Sequence, residues 1–223
     1  MFGTPCQIAG IKNLLGEKEN VLLVDLICHG VPSYNLYKKY LAFLREKGMH
    51  TDGTFETVFR YKEKGWREIY IYNTDNASRY CKSQDEDPYF IAFEHGFCYS
   101  KSCFECPWRD KSVADIRLGD YWHNKYAENN GGISMVATFT DRGLACIDKL
   151  KPYAELFNHE PIKDYYECQQ TKNSQIPVFW QELQEALISD KDLNSILSEY
   201  IYPFEKRKRL NKKLAKLKGA IKR

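Results

Sequence analysis

The sequence predicts an α+β fold of the mixed α/β kind: a central sheet with a β-hairpin insertion, flanking helices and a helical C-terminal region. Three observations predict it. An apolar run at 21–28 lies between two stretches of helical periodicity, as expected of a strand buried on both faces. Alternating apolar and polar residues at 55–62 and 68–72 indicate an antiparallel hairpin. Beyond Pro161 the spacing of apolar residues is mostly helical.

Helix, strand and helix are predicted over the first 50 residues, an order typical of an α/β sheet. Pro5 suits the first turn of a helix, where its missing N–H has no partner to lose. The strand at 21–28 ends in the turn signal His29-Gly30-Val31-Pro32. Ser33 is a good N-cap for a second helix, which we expect to run to about Lys47.

The remaining elements are separated by clear turn signals. Lys64-Gly65-Trp66 supplies the turn of the hairpin, and residues 95–111 form an irregular loop that carries cysteines. The other predicted elements are a short helix at 87–94, strands at 113–118 and 133–140, and a helix at about 141–151.

Composition and charge narrow the class of protein. Hydrophobic residues make up 43% of the 223 residues, enough for a sizeable core. The longest apolar runs fall well short of the roughly 20 residues of a membrane span. The N-terminus lacks the basic and apolar segments of a signal peptide, so we expect a cytoplasmic location.

The charge is unevenly distributed. Residues 205–223 hold ten Lys or Arg and one Glu, so residues 1–204 carry a net charge of −6 within a total of +3. Leucines at helical spacing in the tail predict a basic amphipathic helix at 205–223, following one domain at 1–204. Such a helix can bind an acidic partner or an anionic membrane surface, whereas nucleic-acid binding is not expected without a recognition motif.

Eight cysteines in a reducing compartment favour metal ligation over disulfides. Cys103 and Cys106 form a C-x-x-C pair, in which two thiolates from one turn can grip the same metal centre. Three sources can complete the site. Cys98 extends the pair to C-x4-C-x2-C, a spacing that still needs a distant fourth cysteine. His95 and Cys98 are the nearest additional ligands for zinc.

The third source is Cys6 together with Cys28, both at junctions between predicted elements, where side chains can converge. Cys6 has a competing interpretation. The first turn of a helix favours the thiolate form, which suits a nucleophile as well as a ligand. A nucleophile usually has a base beside it, and the sequence alone does not assign His29 to that role.

Two groups of residues are candidates for binding a cofactor. Gly3, Thr4 and Pro5 precede a helix, and backbone N–H groups at such a helix start can hold a phosphate or the polar edge of a flavin, or simply cap the helix. Arg60 and Lys62 share a predicted strand face and can meet an anionic group, or form a solvated face.

Four further residues have both a functional and a structural interpretation. Trp66 can stack on a ring system or cover the hairpin. Asp115 and Asp120 can act as acid and base, although such residues more often cap turns. His29 can hydrogen-bond a ligated centre or sit in a turn. No catalytic residue is assigned.

Four segments, in order, resemble the motifs of one known family. The segments are Gly3-Thr4-Pro5-Cys6-Gln7, Asp25-Leu26-Ile27-Cys28-His29-Gly30-Val31-Pro32-Ser33, Phe59-Arg60-Tyr61-Lys62 with Gly65-Trp66, and Cys103-x-x-Cys106 with Arg109 and Ala114-Asp115-Ile116-Arg117-Leu118-Gly119-Asp120-Tyr121-Trp122. They resemble the C-terminal region of the coenzyme F420 hydrogenase/dehydrogenase beta subunit. This family includes relatives in bacterial polysaccharide gene clusters. The residues of the motifs resemble that branch more closely.

The resemblance implies FAD, a 4Fe-4S cluster and electron transfer between them and a second substrate. It also implies that Cys6, Cys28, Cys103 and Cys106 are the cluster ligands, while Cys98 does not match a family cysteine. Family members extend upstream of the first motif and often carry a ferredoxin-like segment. We therefore expect this chain to lack the usual N-terminal part and to work with a ferredoxin or a ferredoxin-like subunit.

The leading hypothesis is an iron–sulfur flavoprotein oxidoreductase, or its electron-transferring fragment. One alternative is a non-enzymatic partner subunit that binds a metal or a cluster. The other is a thiol transferase or hydrolase that depends on Cys6.

Overall fold

The computed structural model describes residues 1–155, 157–204 and 206–207. The strands are β1 (Phe2–Gly3), β2 (Val24–Leu26), β3 (Glu56–Tyr61), β4 (Tyr70–Thr74), β5 (Arg79–Ser83), β6 (Ile116–Asp120) and β7 (Ser134–Thr138). The helices are α1 (Pro5–Leu15), α2 (Tyr34–Glu46), α3 (Pro88–Glu94), α4 (Asp141–Asp148), α5 (Ile162–Cys168), α6 (Trp180–Ile188) and α7 (Leu193–Ile196). Apart from residues 206 and 207, the predicted basic helix at 205–223 lies outside the described residues.

The described chain divides into two compact units, each made of three chain segments. The first unit comprises residues 1–30, 63–67 and 101–174. The second comprises residues 31–62, 68–100 and the described residues from Gln175 onward.

The first unit is built on a four-stranded sheet with the order β1-β2-β6-β7. Strands β1, β2 and β6 are parallel, and β7 pairs antiparallel with β6. The predicted strands at 21–28, 113–118 and 133–140 are therefore confirmed as β2, β6 and β7, with shorter or shifted bounds. Strand β1 was not predicted, because a strand of two residues is too short to show an alternating pattern.

Helix α1 starts where the sequence predicted. The Gln7 side-chain oxygen accepts a hydrogen bond from the Thr4 backbone N–H at 2.9 Å, which caps the first turn. Helix α1 packs its apolar side on the sheet through Ile8, which is fully buried with Leu23 and Ala114. The helix begins directly after β1, so its first turn lies at the carboxyl end of that strand.

The second unit combines helices with the antiparallel sheet β3-β4-β5. The predicted hairpin is confirmed as β3 and β4, and β5 adds a strand that the sequence pattern did not predict. Helices α2 and α3 match their predicted positions, with Ser33 and Asp87 as N-caps. The core of this unit is rich in aromatic side chains, including Tyr40, Phe43 and Tyr89.

The structure adds detail to two local predictions. The hairpin turn at 63–67 belongs to the first unit, because Trp66 is buried there and stacks on Trp122 with ring centroids 4.5 Å apart. The described region beyond Pro161 is mostly helical, as predicted, but residues 169–179 have no helix. This stretch is rich in Gln, Thr, Asn and Ser and contains Pro177, residues that favour turns over helix.

The predicted fold class is confirmed: helices and two separate sheets give a mixed α+β structure. In the described part of the chain, no helix combines the length and apolar character needed to cross a membrane.

Candidate metal centre

The four cysteines that the resemblance singles out all belong to the first unit. Cys6 lies in the first turn of α1, after β1, and Cys28 lies two residues beyond β2. Since β1 and β2 are parallel, both cysteines stand at the carboxyl edge of the sheet, where binding sites of such sheets usually form. Cys103 and Cys106 come from the loop that leads back into β6.

The thiol of Cys28 lies near two of the other candidate ligands. Burial raises its pKa above the ordinary value, and the neighbouring thiols of Cys103 and Cys6 raise it further. The Gly30 backbone N–H and the Arg109 guanidinium act in the opposite direction. Cys28 is therefore within electrostatic reach of two other candidate ligands and of one buried cation.

Arg109 holds the backbone around these thiols. Its guanidinium, only 7% exposed, donates to the carbonyl oxygen of Cys28 and, at 3.2 Å, to that of Cys103. Its Nε donates to the Asn173 side-chain oxygen at 3.1 Å, and the Asn173 Nδ2 donates to the Cys106 carbonyl at 3.0 Å. Two side chains thus fix the main chain of three cysteines.

A buried ion pair anchors the cysteine loop to the sheet. Arg117 of β6 donates to both carboxylate oxygens of Asp25 of β2, at 2.7 and 2.8 Å, and both residues are essentially inaccessible. Burial works against the charge on Arg117, but the hydrogen bonds from this side chain to Asp25 and Tyr165 hold its pKa above the ordinary value. Arg117 also donates to the Lys111 carbonyl at 2.6 Å, which fixes the end of the loop.

Residues 169–173, which we call the amide strap, cross this edge of the sheet. Gln169 donates to the Asp120 carbonyl at 2.5 Å, and Gln170 hydrogen-bonds His29. Asn173 supplies the contact to Cys106. The strap was not predicted from the sequence; the signal for it was the run of amide side chains directly after α5.

The spread of the cysteines distinguishes between metal centres. In the described residues, only one group of three or more His, Cys, Asp or Glu has all its donor atoms within 4.8 Å, and it contains no cysteine. A tetrahedral zinc ion would bring its sulfurs to about 3.8 Å from one another, given Zn–S bonds of about 2.3 Å. A four-iron cluster holds its thiolates further apart because each binds a different iron. Among the described residues, the cysteines form no such close group, and four thiols are the donor set that a cluster uses.

The group without cysteine consists of His123, Asp164 and Glu167. Nδ1 of His123 accepts the backbone N–H of Lys125 at 3.2 Å, and Nε2 lies 4.0 Å from the Glu167 carboxylate. Asp164 accepts a hydrogen bond from Tyr121 at 2.8 Å. His123 and Asp164 therefore already have hydrogen-bond partners in this group.

Some of the residues that were predicted to bind a cofactor have other partners. The Thr4 N–H is bonded to Gln7, Pro5 has no N–H, and Gly3 lies against the Gln7 side chain. Of the N–H groups predicted there, that of Thr4 thus serves the helix cap. Flavin binding by Gly3, Thr4, Pro5, Arg60 and Lys62 stays a prediction, and Arg60 and Lys62 belong to the second unit.

Cys98 does not share the surroundings of the ligand set. It is fully buried in the core of the second unit, and this burial raises its pKa to about 12. A ligand must be a thiolate. The alternative with Cys98 as a third ligand therefore has no support in this geometry.

Trp66 and Asp115 have structural partners. Trp66 has Trp122 on one side, and a Cβ added at Gly132 would come within 3.0 Å of its ring. Asp115 accepts hydrogen bonds from the Leu23 N–H and from the Arg142 guanidinium, at 2.8 Å each. Trp66 therefore packs inside the first unit instead of presenting an open face, and Asp115 ties β2 to α4.

Comparison with known proteins agrees with this geometry. The family model for the C terminus of the coenzyme F420 hydrogenase/dehydrogenase beta subunit matches residues 1–164. No curated protein and no solved structure gives a significant match. The matched region contains all four candidate cysteines and ends before the amide strap. The chain belongs to the coenzyme F420 hydrogenase/dehydrogenase beta-subunit family, through the C-terminal region of that subunit.

Proposed function

We propose that this chain is the cluster-binding, electron-transferring part of an iron–sulfur flavoprotein oxidoreductase. Cys6, Cys28, Cys103 and Cys106 would hold a 4Fe-4S cluster. The observation that carries the proposal is the convergence of Cys6, Cys28 and Cys103 at the carboxyl edge of a parallel sheet, with Cys106 tied to the same place through Asn173. The family, that of an oxidoreductase subunit, supports the same chemistry.

The residues of the site have distinct roles in this proposal. The cysteines supply thiolates, and partial burial of Cys28 shields its sulfur from water. Arg109 and the Gly30 N–H offset the negative charge that four thiolates would bring together. When bound, the cluster supplies one-electron transfer, which a flavin couples to two-electron chemistry.

FAD and a ferredoxin-like electron donor complete the proposal through the family relationship. The proposed role of this chain itself rests on the cysteine site, since the Thr4 N–H caps α1. A reducing compartment such as the cytoplasm suits eight free thiols.

Iron analysis of the full chain, purified without oxygen, tests the cysteine assignment. We expect about four irons and a matching amount of sulfide per chain, with the broad brown absorption of a cluster. Cys6→Ser should lose most of the iron, because serine is a poor ligand for this centre. Cys146→Ser is the matched control: this cysteine of α4 is half-buried in the same unit, has no motif and should leave the iron content unchanged.

Two results would overturn the assignment. One is a colourless chain with a single zinc ion. The other is a Cys6→Ser variant that retains all of its iron. Flavin released on denaturation would separate the flavoprotein from a cluster-binding subunit that has no flavin.

A further inference from the structure

The contacts of Arg109 and Asn173 have an unusual target. All three of their hydrogen bonds to cysteines end on backbone carbonyls of Cys28, Cys103 and Cys106. Bonds to carbonyls orient a residue while leaving its sulfur free for a metal. The two side chains are also bonded to one another, at 3.1 Å, so they act as one rigid group.

Asn173 lies outside the part of the chain that matches the family, which ends at residue 164. It is nevertheless part of the first unit, as is the whole amide strap. Gln169 and Gln170 hold the strap in place through Asp120 and His29. The strap thus adds to the cysteine site a contact that the family motifs do not contain.

The charge of Arg109 has a second effect. Arg109 is buried, and its guanidinium donates to the carbonyl oxygen of Cys28, beside the candidate ligands. A cluster bound by four thiolates is negative and becomes more negative on reduction. A buried positive charge therefore favours the reduced state and raises the reduction potential.

We infer that Arg109 and Asn173 are positioning residues: they clamp the cysteine backbones in the ligating arrangement before iron binds, and the charge of Arg109 sets the potential of the bound cluster. The part that concerns the potential rests on the proposed function. The clamp itself is a property of the chain without iron.

The first experiment uses the full chain without iron. Alkylation by iodoacetamide is mapped by mass spectrometry in the parent chain, in Asn173→Ala and in Arg109→Lys. We expect Cys28 and Cys106 to be alkylated several times faster in both variants, because the two segments that carry them lose a shared anchor. Asn158→Ala is the matched control, since Asn158 is exposed and donates to the Tyr126 hydroxyl at 2.7 Å. Unchanged rates at both cysteines in folded variants, as judged by circular dichroism, would refute the clamp.

The second experiment loads the same proteins with iron and sulfide. Removal of a residue that hydrogen-bonds a metal ligand typically costs about 10- to 100-fold in metal affinity. A chelator should therefore extract iron at least about tenfold faster from Asn173→Ala than from the parent chain. Arg109→Lys keeps the charge but loses the fork of donors, whereas Arg109→Gln loses the charge. We expect iron to leave both variants faster, but only Arg109→Gln to shift the reduction potential to more negative values. Arg45→Gln, at an exposed arginine of the second unit, should leave both readouts unchanged.

The outcomes separate the two proposals. If the parent chain takes up no cluster, the proposed function fails, while the alkylation rates still decide on the clamp. If the parent chain loads and the variants match it in iron retention and potential, the clamp fails and the proposed function stands. An equal potential shift in Arg109→Lys and Arg109→Gln would show that geometry, not charge, controls the potential.

Discussion

At the scale of single residues, the carboxylate of Asp115 is surrounded by hydrogen-bond donors. It accepts from the Leu23 N–H and from the Thr140 hydroxyl, the latter at 2.7 Å. The Arg142 guanidinium donates to both oxygens of this carboxylate. Burial favours the neutral acid, but these hydrogen bonds and the charge of Arg142 hold the pKa of Asp115 below its ordinary value. The carboxylate therefore contributes to stability only in its ionised form.

This arrangement predicts a pH dependence. Because the folded-state pKa of Asp115 lies below the unfolded one, its contribution is present above the unfolded value of about 3.9 and is lost as the pH falls through the folded value. Asp115→Asn should thus lower the free energy of unfolding at pH 7 and reduce its loss in acid. Urea unfolding at a series of pH values measures both. Asp148→Asn, at an exposed position of α4, is the control, and the same pH profile for both variants would contradict the prediction.

At the scale of elements, helix α4 lies unusually close to the sheet. A Cβ added at Gly143 would stand 2.3 Å from the backbone oxygen of Asp115, a distance that backbone atoms cannot relieve without moving the helix. Gly10 of α1 offers the contrast, with nothing within 4 Å of an added Cβ. Both glycines lie inside helices, so they isolate the effect of close packing.

We expect opposite signs for the two alanine substitutions. Gly143→Ala should destabilise the protein by about 1–3 kcal/mol, as overpacking does. Gly10→Ala should stabilise it by about 0.5–1 kcal/mol, because alanine has the better helix propensity. Chemical denaturation of both variants provides the measurement; equal effects would mean that α4 can shift freely on the sheet.

How much the sequence predicted also differs between elements. Helices α1, α2 and α3 were found because Pro5, Ser33 and the segment after Asp87 start them with strong local signals. Strand β5 was missed because the run 79–83 places lysine and arginine among its residues, and pairing with β4 rather than its own pattern fixes it. The amide strap was missed because hydrogen bonds to distant carbonyls leave no periodicity in a sequence.

At the scale of the whole molecule, some residues of the candidate site were predicted from the sequence and others were not. The C-x-x-C spacing indicated Cys103 and Cys106, and the family motifs added Cys6 and Cys28. No pattern could join Arg109 to Asn173, because 64 residues separate them and only the fold brings them together. The sequence also could not show that the Thr4 N–H is committed to the helix cap.

Cluster loading should stabilise the whole chain. A group that binds the folded state but not the unfolded one adds its binding free energy to folding. The loaded protein should therefore unfold at a higher urea concentration than the iron-free protein. Cys28→Ser should abolish the difference and Cys146→Ser should keep it. Equal midpoints for the loaded and iron-free parent chain would show that these cysteines do not grip the cluster.

The order of the segments in the first unit also has a consequence for synthesis on the ribosome. Cys6 and Cys28 are made before Cys103 and Cys106, the carbonyl clamp waits for Asn173, and the first unit is complete only when residue 174 has been added. The first two cysteines therefore lack these neighbours while the residues between are made. Iron acquired in that interval would find an open and exchangeable set of thiols, and the proposed cluster would be held firmly only after Asn173 is in place.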